Sequence, residues 1–416
     1  NDNMRKTLLL MILSIFVLAF AGGVAAQDDA ILIGGIHPLT GGLAADGIQM
    51  DNAIQMAIAE INEAGGVLDG VELAYLSADS TGSAEVGQTE AERLIEEGAA
   101  ALICCFQSSV TANVAATADR EGVPLVIDVA VADAILDQGY TNVFRLQPNA
   151  TSMGVGGAHF LTDILDLDAI GDGDGELDVV YLFEGTTGFG DSVHDAFLAE
   201  AEELGINVLD SISYEPFAVT DLTTEMQRIN ATNPDILIVT GYYNDGLLAA
   251  RNAEEVGLDV DAVVGIAQGT YDQPQFVEDA GDLSECFFDS NFHWDAANPA
   301  ALEVRARYEE QFGEPMRVGA VFAYQAVYII ADAIERAGSA DPADISAALR
   351  ETNYEDHLLP YDGPIVFDET GENINANPVL MQVLDGEVRQ VWPPSRAESV
   401  DDELLTPQIG CLAWQN

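Results

Sequence analysis

Lysine is almost missing from this chain of 416 residues: Lys6 is the only one, and the 14 basic residues face 71 acidic residues. The formal net charge is -57 at pH 7. A protein this negative is repelled by nucleic acids and by anionic membrane surfaces, so we expect neither as a partner. Dispersed acids with so little lysine are typical of a surface that stays soluble in salty water.

Long apolar runs are also scarce, and the one at residues 7–20 follows the basic sequence MRK at residues 4–6. Small residues, VAA at 24–26, close this segment. The run is shorter than the roughly 20 residues that span a bilayer, so residues 1–26 are predicted to be a cleaved signal peptide rather than an anchor. No cysteine lies at the exit, which argues against a lipid anchor. We expect no later membrane span and a periplasmic or extracellular protein.

Cysteine occurs four times. In an exported protein Cys286 and Cys411 are the pair free to form a disulfide, although the sequence alone does not establish that pairing. Adjacent cysteines rarely bond each other, so we expect Cys104 and Cys105 to remain unpaired, at least one of them as a small buried side chain.

Sequence motifs for cofactors and catalysis are missing. There is no Walker loop, no dinucleotide fingerprint and no Gly-x-Ser-x-Gly, and none of the five histidines has a triad context. The sequence GDGDGELD at 171–178 resembles a calcium loop, but Phe183 stands where the bidentate glutamate belongs, which favours an acidic surface turn. We therefore expect no cofactor and no metal, and the sequence HWD at 293–295 is too isolated to indicate one.

Strand-like and helix-like segments alternate along the chain. The first set has strands at 30–34, 71–77, 99–104 and 124–128 and helices near 54–61, 84–97 and 110–120. The second set has strands at 177–183, 206–213, 235–240 and 262–266 and helices near 151, 191–204, 221–230 and 244–256. This alternation requires parallel sheets covered on both faces. About 390 mature residues exceed one core, so we predict an α/β fold with two doubly wound lobes.

The last third departs from this pattern, with helices at 300–312, 318–337 and 342–351 and a pair of strands at 364–367 and 379–384. The predicted division is an N-terminal lobe of residues 27–148 plus 293–358 and a C-terminal lobe of residues 149–292 plus 359–392. An acidic tail of residues 393–416 follows.

The segment ICCFQSSVT at 103–111 ends a strand and begins a helix, and ligands of open α/β sheets bind at such places. Ser108 or Ser109 would cap the helix and could bind a carboxylate. A plain helix cap without a ligand and a nucleophile at Ser108 or Cys105 remain open alternatives. Tyr242 and Phe189 follow strands of the second set, so both are candidates for the wall of a cleft between the lobes.

Several segments together resemble the type I periplasmic binding proteins, in particular the leucine/isoleucine/valine-binding group of ABC transporters. The resemblance runs from about residue 31 to about residue 384, and its landmarks are HPLTGGLAADG at 37–47, AIAEINEAGGVLDG at 57–70, QSS at 107–109, REGVPLV at 120–126, FGDS at 189–192, TGYYNDG at 240–246 and GPIVFDETGE at 363–372. It implies two lobes joined by a three-crossover hinge, which close over a small ligand and dock on a membrane permease.

The resemblance also implies a ligand site. By position, Ser108 would hold a carboxylate with help from Ser109, and Phe189 and Tyr242 would close from the second lobe. The remaining site residues that it implies are Gln107, Val129, Ala130, Val131, Gln268 and Asp46.

At four of these positions the residue differs from the one that the amino-acid binders have. Val131 stands where they commonly have threonine, Gln268 replaces the glutamate that neutralises the ligand ammonium, and Phe189 replaces a tyrosine. Asp46 replaces an aromatic residue near the mouth of the cleft. A buried ammonium needs a paired charge, which Asp46 or Asp128 could supply.

The resemblance therefore predicts a monomeric solute receptor, not an enzyme, for a branched-chain or other hydrophobic amino acid. Amides, urea-like compounds and aromatic acids are alternative ligands. A ligand-sensing module on the same fold and a secreted hydrolase are the rival functions.

Overall fold

The computed structural model of the protein describes residues 30–164, 175–401 and 403–415. The predicted signal peptide and residues 171–174, the first half of the acidic turn, lie outside these residues. In chain order the strands are β1 (Ile31–His37), β2 (Leu73–Asp79), β3 (Ala101–Cys104), β4 (Leu125–Ile127), β5 (Val143–Arg145), β6 (Asp178–Glu184), β7 (Asn207–Tyr214), β8 (Ile236–Thr240), β9 (Ala262–Ile266), β10 (Phe288–Asn291), β11 (Val379–Leu384), β12 (Glu387–Trp392), β13 (Ser399–Val400) and β14 (Glu403–Leu404).

Most helices lie between successive strands along the chain, as the crossovers of a parallel sheet require. They are α1 (Ala44–Glu63), α2 (Ala84–Glu96), α3 (Ser108–Glu121), α4 (Ala150–Ile164), α5 (Phe189–Leu204), α6 (Thr223–Asn230), α7 (Tyr243–Val256), α8 (Pro274–Ala280), α9 (Pro299–Phe312), α10 (Val318–Ala337) and α11 (Pro342–Arg350). Short 3-10 helices occupy Asp133–Gln138, Gly281–Ser284 and Ala413–Gln415.

The first lobe is built on a parallel sheet with the order β2-β1-β3-β4-β5. Every residue of β3 and β4 is buried, because helices cover both faces of the sheet. Helices α9 to α11 return to this lobe from far along the chain: Arg307 of α9 pairs with Glu60 of α1 at 3.0 Å, and α10 packs along α1.

The second lobe is built on a sheet with the order β12-β11-β10-β9-β8-β6-β7, parallel from β7 to β10. Strand β11 runs antiparallel to both β10 and β12. The chain passes between the lobes three times, from β5 to α4, from β10 to α9 and from α11 to β11. The predicted α/β class with two doubly wound lobes is thus confirmed.

Some elements differ from the sequence-based expectation. Strands β5, β10 and β12 and helix α8 were not predicted. Residues 364–367 form only isolated bridges, Tyr354 with Ile365 and Phe367 with Asn373, because this segment crosses between the lobes instead of lying beside β11. The partner of β11 is β12, joined by a tight turn in which Asp385 and Gly386 both have positive φ.

The sequence was expected to contain no later apolar segment long enough to span a membrane. That expectation was wrong, because one helix has the required length and composition. Helix α10 has 20 residues and a mean hydropathy of 1.4, long and apolar enough to cross a bilayer. It is instead a core helix, because 78% of its apolar window is buried between α1 and the first sheet.

The end of the chain packs against the second lobe. Cys411 forms a disulfide with Cys286, and the indole N–H of Trp414 donates to the carbonyl of Leu258 at 2.8 Å. Residues 393–401 and 403–415 therefore do not form a free tail. Cys104 and Cys105 are buried as expected, but their sulfur atoms are in contact across a cis peptide bond, which differs from the expectation that the two remain unpaired.

Candidate functional site

A cavity of about 60 Å³ lies between the carboxyl ends of the two sheets. In each sheet it adjoins the point where the strand order reverses, between β1 and β3 and between β6 and β8. The lining residues are Asp46, Phe106, Ser108, Val129, Ala130, Val131, Phe189, Gly241, Tyr242, Ala267, Gly269, Asp272, Gln273, Asn291, Phe292, Val318 and Gly319. The cavity is apolar on most sides.

Ser108 presents its hydroxyl on the first-lobe wall. It begins α3 and is 4% exposed. The N-cap residue of α3 is Gln107, not Ser108 or Ser109 as expected, because Gln107 has the extended backbone and its carbonyl accepts the first helical bond, from the N–H of Thr111 at 3.0 Å. The Ser108 hydroxyl oxygen accepts from the N–H of Ala132 at 3.3 Å, which leaves its proton to be donated to a ligand.

The strand-end segment Val129, Ala130 and Val131 forms the floor beside Ser108. Behind it, Asp128 contacts His37 at 2.8 Å, and both side chains are fully buried. Asp128 does not line the cavity, so this carboxylate is not placed to meet a ligand.

Aromatic rings form the wall between the lobes. Tyr242 of the second lobe lies 5.5 Å from Phe189 and 6.3 Å from Phe106, ring centroid to ring centroid. Its hydroxyl group is 3.1 Å from the hydroxyl of Thr187. Burial raises the pKa of the Tyr242 phenol far above its usual range, so the ring faces the cavity as a neutral group.

Asp46 lines the cavity but carries its own counter-charge. Its carboxylate lies 2.8 Å from the guanidinium of Arg317. Burial raises the pKa of Asp46, and the charge and hydrogen bond of Arg317 oppose that rise. This ion pair joins α1 to the residue before α10, both in the first lobe, and the two charges cancel at the mouth of the cleft.

Three of the predicted site residues are not among the lining residues. Gln107 faces a separate depression, where its amide donates to the carbonyl of Gly82 at 3.4 Å. Ser109 is not part of the wall. Gln268 is fully buried behind its neighbours Ala267 and Gly269, and its amide nitrogen has no hydrogen-bond partner.

Sequence reasoning missed the polar group on the second-lobe wall, which consists of Asp272, Gln273 and Asn291. The amide of Asn291 donates to one carboxylate oxygen of Asp272 at 3.1 Å, and the other oxygen has no partner. Burial raises the pKa of Asp272 to about 8. The available signal was the position of YDQ at 271–273, just past β9, but one aspartate among 71 acidic residues did not stand out.

The geometry gives no support to a hydrolase. Among the residues that the structure describes, no histidine lines the cavity, so Ser108 has no histidine beside it to act as a general base. The side chain of Cys105 is 1% exposed and contacts the sulfur of Cys104. The described residues also contain no cluster of three or more His, Cys, Asp or Glu side chains that could hold a metal ion.

Two α/β lobes that enclose a small cavity between the carboxyl ends of their sheets define a two-lobed ligand-binding protein. Residues 30–387 match the periplasmic binding protein family, and the chain belongs to that family.

Individual relatives align with this chain along nearly their whole length. The Leu/Ile/Val-binding protein homolog 7 of Brucella suis biovar 1 is 28% identical over 410 residues, which cover 95% of this chain and 99% of the relative. The leucine-binding protein LivK of Thermotoga maritima superposes with a TM-score of 0.75 at 25% identity, covering 87% of this chain and 97% of LivK. An R. palustris solute-binding protein in complex with benzoate has the same fold, with a TM-score of 0.71 at 18% identity over 92% of this chain and 99% of that protein.

Proposed function

We propose that this protein is the extracytoplasmic receptor of an ABC importer and captures an amino acid with an apolar side chain. One observation carries the proposal: a cavity between the lobes that combines a hydroxyl donor at Ser108, apolar and aromatic walls, and an unpaired carboxyl oxygen at Asp272. A zwitterion with an apolar side chain satisfies all three. Relatives named as leucine-binding and Leu/Ile/Val-binding proteins support the same ligand class.

Capture works by closure of the hinge. The ligand contacts both lobes only in the closed form, so it stabilises that form by the difference in contact. The closed protein then docks on a membrane permease and releases its ligand there. In this scheme residues 1–26 direct export and are removed, and the receptor acts as a monomer.

The test is thermal unfolding of the mature protein with a panel of amino acids, amides, urea, polyamines and aromatic acids, in low and in high salt. A ligand at 100 times its Kd stabilises the folded state by about 2.7 kcal/mol, which raises the midpoint by several degrees. We expect that rise with leucine, isoleucine, valine or phenylalanine, together with a smaller radius of gyration in X-ray scattering. A rise with benzoate alone would replace amino acids by aromatic acids as the ligand class.

A further inference from the structure

A positive charge lies directly behind the floor of the cavity. Among the described residues, no lysine, arginine or histidine side chain lines the cavity itself. The guanidinium group of Arg145, the last residue of β5, is fully buried and is not part of the lining. Burial of a charge is costly unless its partners stabilise it, so the partners of Arg145 indicate its role.

Arg145 donates to the backbone segment that forms the floor. Its Nη1 donates to the carbonyl of Val131 at 2.6 Å, and its Nη2 donates to the carbonyl of Ala132 at 2.8 Å. The carbonyl of Val131 also accepts from the N–H of Ala150, the first residue of α4, at 2.8 Å. A guanidinium cation and the positive end of a helix therefore both point at this carbonyl oxygen.

The peptide bond between Val131 and Ala132 connects this charge to the cavity. It is trans, so its C=O and its N–H point in opposite directions. The C=O accepts from Arg145, and the N–H donates to the hydroxyl oxygen of Ser108 at 3.3 Å. Hydrogen bonds in such a chain strengthen one another by about 10–30% per bond. The hydroxyl proton of Ser108 is thus the last donor of a chain that begins at a cation.

Glu372 opposes the charge of Arg145 from the other side. Its carboxylate lies 3.5 Å from Nη1 of Arg145, and its side chain is 18% exposed. Glu372 belongs to the crossover from α11 to β11 and does not line the cavity. The neighbouring carbonyl of Gly371 accepts from the N–H of Arg145 at 2.9 Å. A substitution of Glu372 can therefore change the charge behind the floor without changing a lining residue.

We propose that Arg145 is a positioning residue for the ligand carboxylate. It orients and polarises the peptide bond between Val131 and Ala132, which makes Ser108 a stronger donor to an anion, and Glu372 moderates its charge. The inference rests on the proposed function, because it requires a ligand with a carboxylate in the cavity. It deepens that function by assigning the selectivity for a carboxylate to a cation that the ligand does not contact.

Calorimetric titration of the mature protein at pH 7 tests the inference. The first probe is the tightest binder among L-leucine, L-isoleucine, L-valine and L-phenylalanine. The second probe is the primary amide of that amino acid, in which an uncharged group replaces the carboxylate. The ionic strength is about 0.15 M, at which solvent screens exposed charges beyond about 8 Å.

Glu372→Gln removes the opposing charge and leaves both hydrogen bonds from Arg145 to the floor in place. We expect its Kd for the amino acid to fall by at least about threefold, because charges in a protein interior interact over several ångströms. Its Kd for the amide should not fall, since the amide carries no negative charge. A role of Arg145 in packing alone gives no reason for this variant to bind the amino acid more tightly.

Glu369→Gln is the matched control. Glu369 is exposed and lies in the same crossover, three positions before Glu372. The two variants change the net charge of the chain equally, so an effect of net charge alone would appear in both. The Kd of Glu369→Gln for the amino acid should stay within about twofold of wild type, because solvent screens an exposed charge.

Arg145→Met removes the cation and keeps a long apolar side chain. We expect its Kd for the amino acid to rise by at least about tenfold, because the hydrogen bond from Ser108 to the carboxylate is no longer supported. The Kd for the amide should rise less, so the variant loses preference for a carboxylate. A structural role alone would weaken both probes equally. If this variant does not fold, the comparison of Glu372→Gln with Glu369→Gln decides.

The outcomes separate the inference from the proposed function. If Glu372→Gln binds the amino acid no more tightly than wild type, or if Arg145→Met folds and weakens both probes equally, the inference is wrong and the receptor function stands. If the wild-type protein binds benzoate and none of the four amino acids, the proposed ligand class is wrong, and the same variants with benzoate and benzamide decide the inference. If it binds none of these compounds, both are wrong.

Discussion

Phe106 of the first lobe and Tyr242 of the second lobe face each other across the cleft, with ring centroids 6.3 Å apart and an interplanar angle of 34°. The two rings belong to segments that follow β3 and β8, so their contact exists only while the lobes are closed. The distance between the two rings therefore indicates whether the lobes are closed.

Removing the Tyr242 ring should weaken ligand binding through this contact. We expect Tyr242→Ala to raise the Kd by at least about tenfold, because a buried aromatic contact and the packing area around it are lost. Tyr242→Phe keeps the ring and removes only the hydroxyl near Thr187, so its Kd should stay within about threefold. Calorimetry gives the Kd values, and X-ray scattering of the saturated variants shows whether closure survives. Equal losses in both variants would contradict the role of the ring.

The two adjacent serines should behave differently. In the proposed site the Ser108 hydroxyl donates to the ligand carboxylate. Hydrogen bonds to charged groups contribute about 1.5–3 kcal/mol, so Ser108→Ala should raise the Kd by roughly 10- to 150-fold. Ser109→Ala changes a side chain outside the cavity wall and should have little effect. Titration of both variants with the same amino acid distinguishes them, and a larger loss for Ser109→Ala would mean that the site is placed wrongly.

The buried carboxyl of Asp272 should make the ligand-free protein less stable as pH rises. Its pKa is about 8 in the folded protein against a usual value of 3.8, so the folded state binds the proton more tightly than the unfolded state. Stability from this group is full below about pH 4 and is lost as pH rises towards 8. We expect Asp272→Asn to lose less stability than wild type between pH 5 and pH 8, on the order of a few kcal/mol less.

Denaturant unfolding of the ligand-free proteins at several pH values measures this difference. Groups that do not interact with Asp272 change both curves equally. The gap between wild type and variant therefore reports Asp272 together with the buried carboxyl of Asp289, whose pKa is raised by burial and by the charge of Asp272. A gap that stays constant from pH 5 to pH 8 would show that Asp272 is ionised throughout.

The disulfide between Cys286 and Cys411 should stabilise the second lobe. The two residues are 125 positions apart, and a bond of this kind typically contributes 2–4 kcal/mol by restricting the unfolded chain. The variant Cys286→Ser with Cys411→Ser should therefore unfold several degrees lower. It also leaves Cys104 and Cys105 untouched, which reduction of the wild-type protein would not. An unchanged midpoint would mean that packing of Trp414 alone holds the end of the chain.

The alternation of strands and helices predicted both lobes because parallel strands and their covering helices leave strong apolar patterns. The elements that sequence missed are short or lack such a pattern. β5 has three residues, and β10 reads FDSN, with an aspartate that is buried only because the fold encloses it. β12 follows an Asp-Gly turn that does predict a hairpin, but its residues EVRQVW are half polar.

The lining of the cavity could be predicted from the sequence where position along the backbone decides it. Ser108, Val129 to Val131, Phe189 and Tyr242 all follow strands whose ends meet at the cavity. The position of Asp272 in the cavity wall could not be predicted, because it depends on burial beside Asn291. In a chain with 71 acidic residues, the sequence does not show which single acid is buried. Asp46 was found by position, but its neutralisation by Arg317 depends on a contact across 271 residues.

The discontinuous first lobe affects how the chain folds during synthesis. Its five-stranded sheet is complete once residue 145 has been made, yet α10, which covers one face of that sheet and packs along α1, ends only at residue 337. A nascent chain thus leaves the part of this sheet face that α10 covers exposed until more than half of the remaining protein has left the ribosome. An isolated fragment of residues 27–148, which lacks α10, should therefore aggregate.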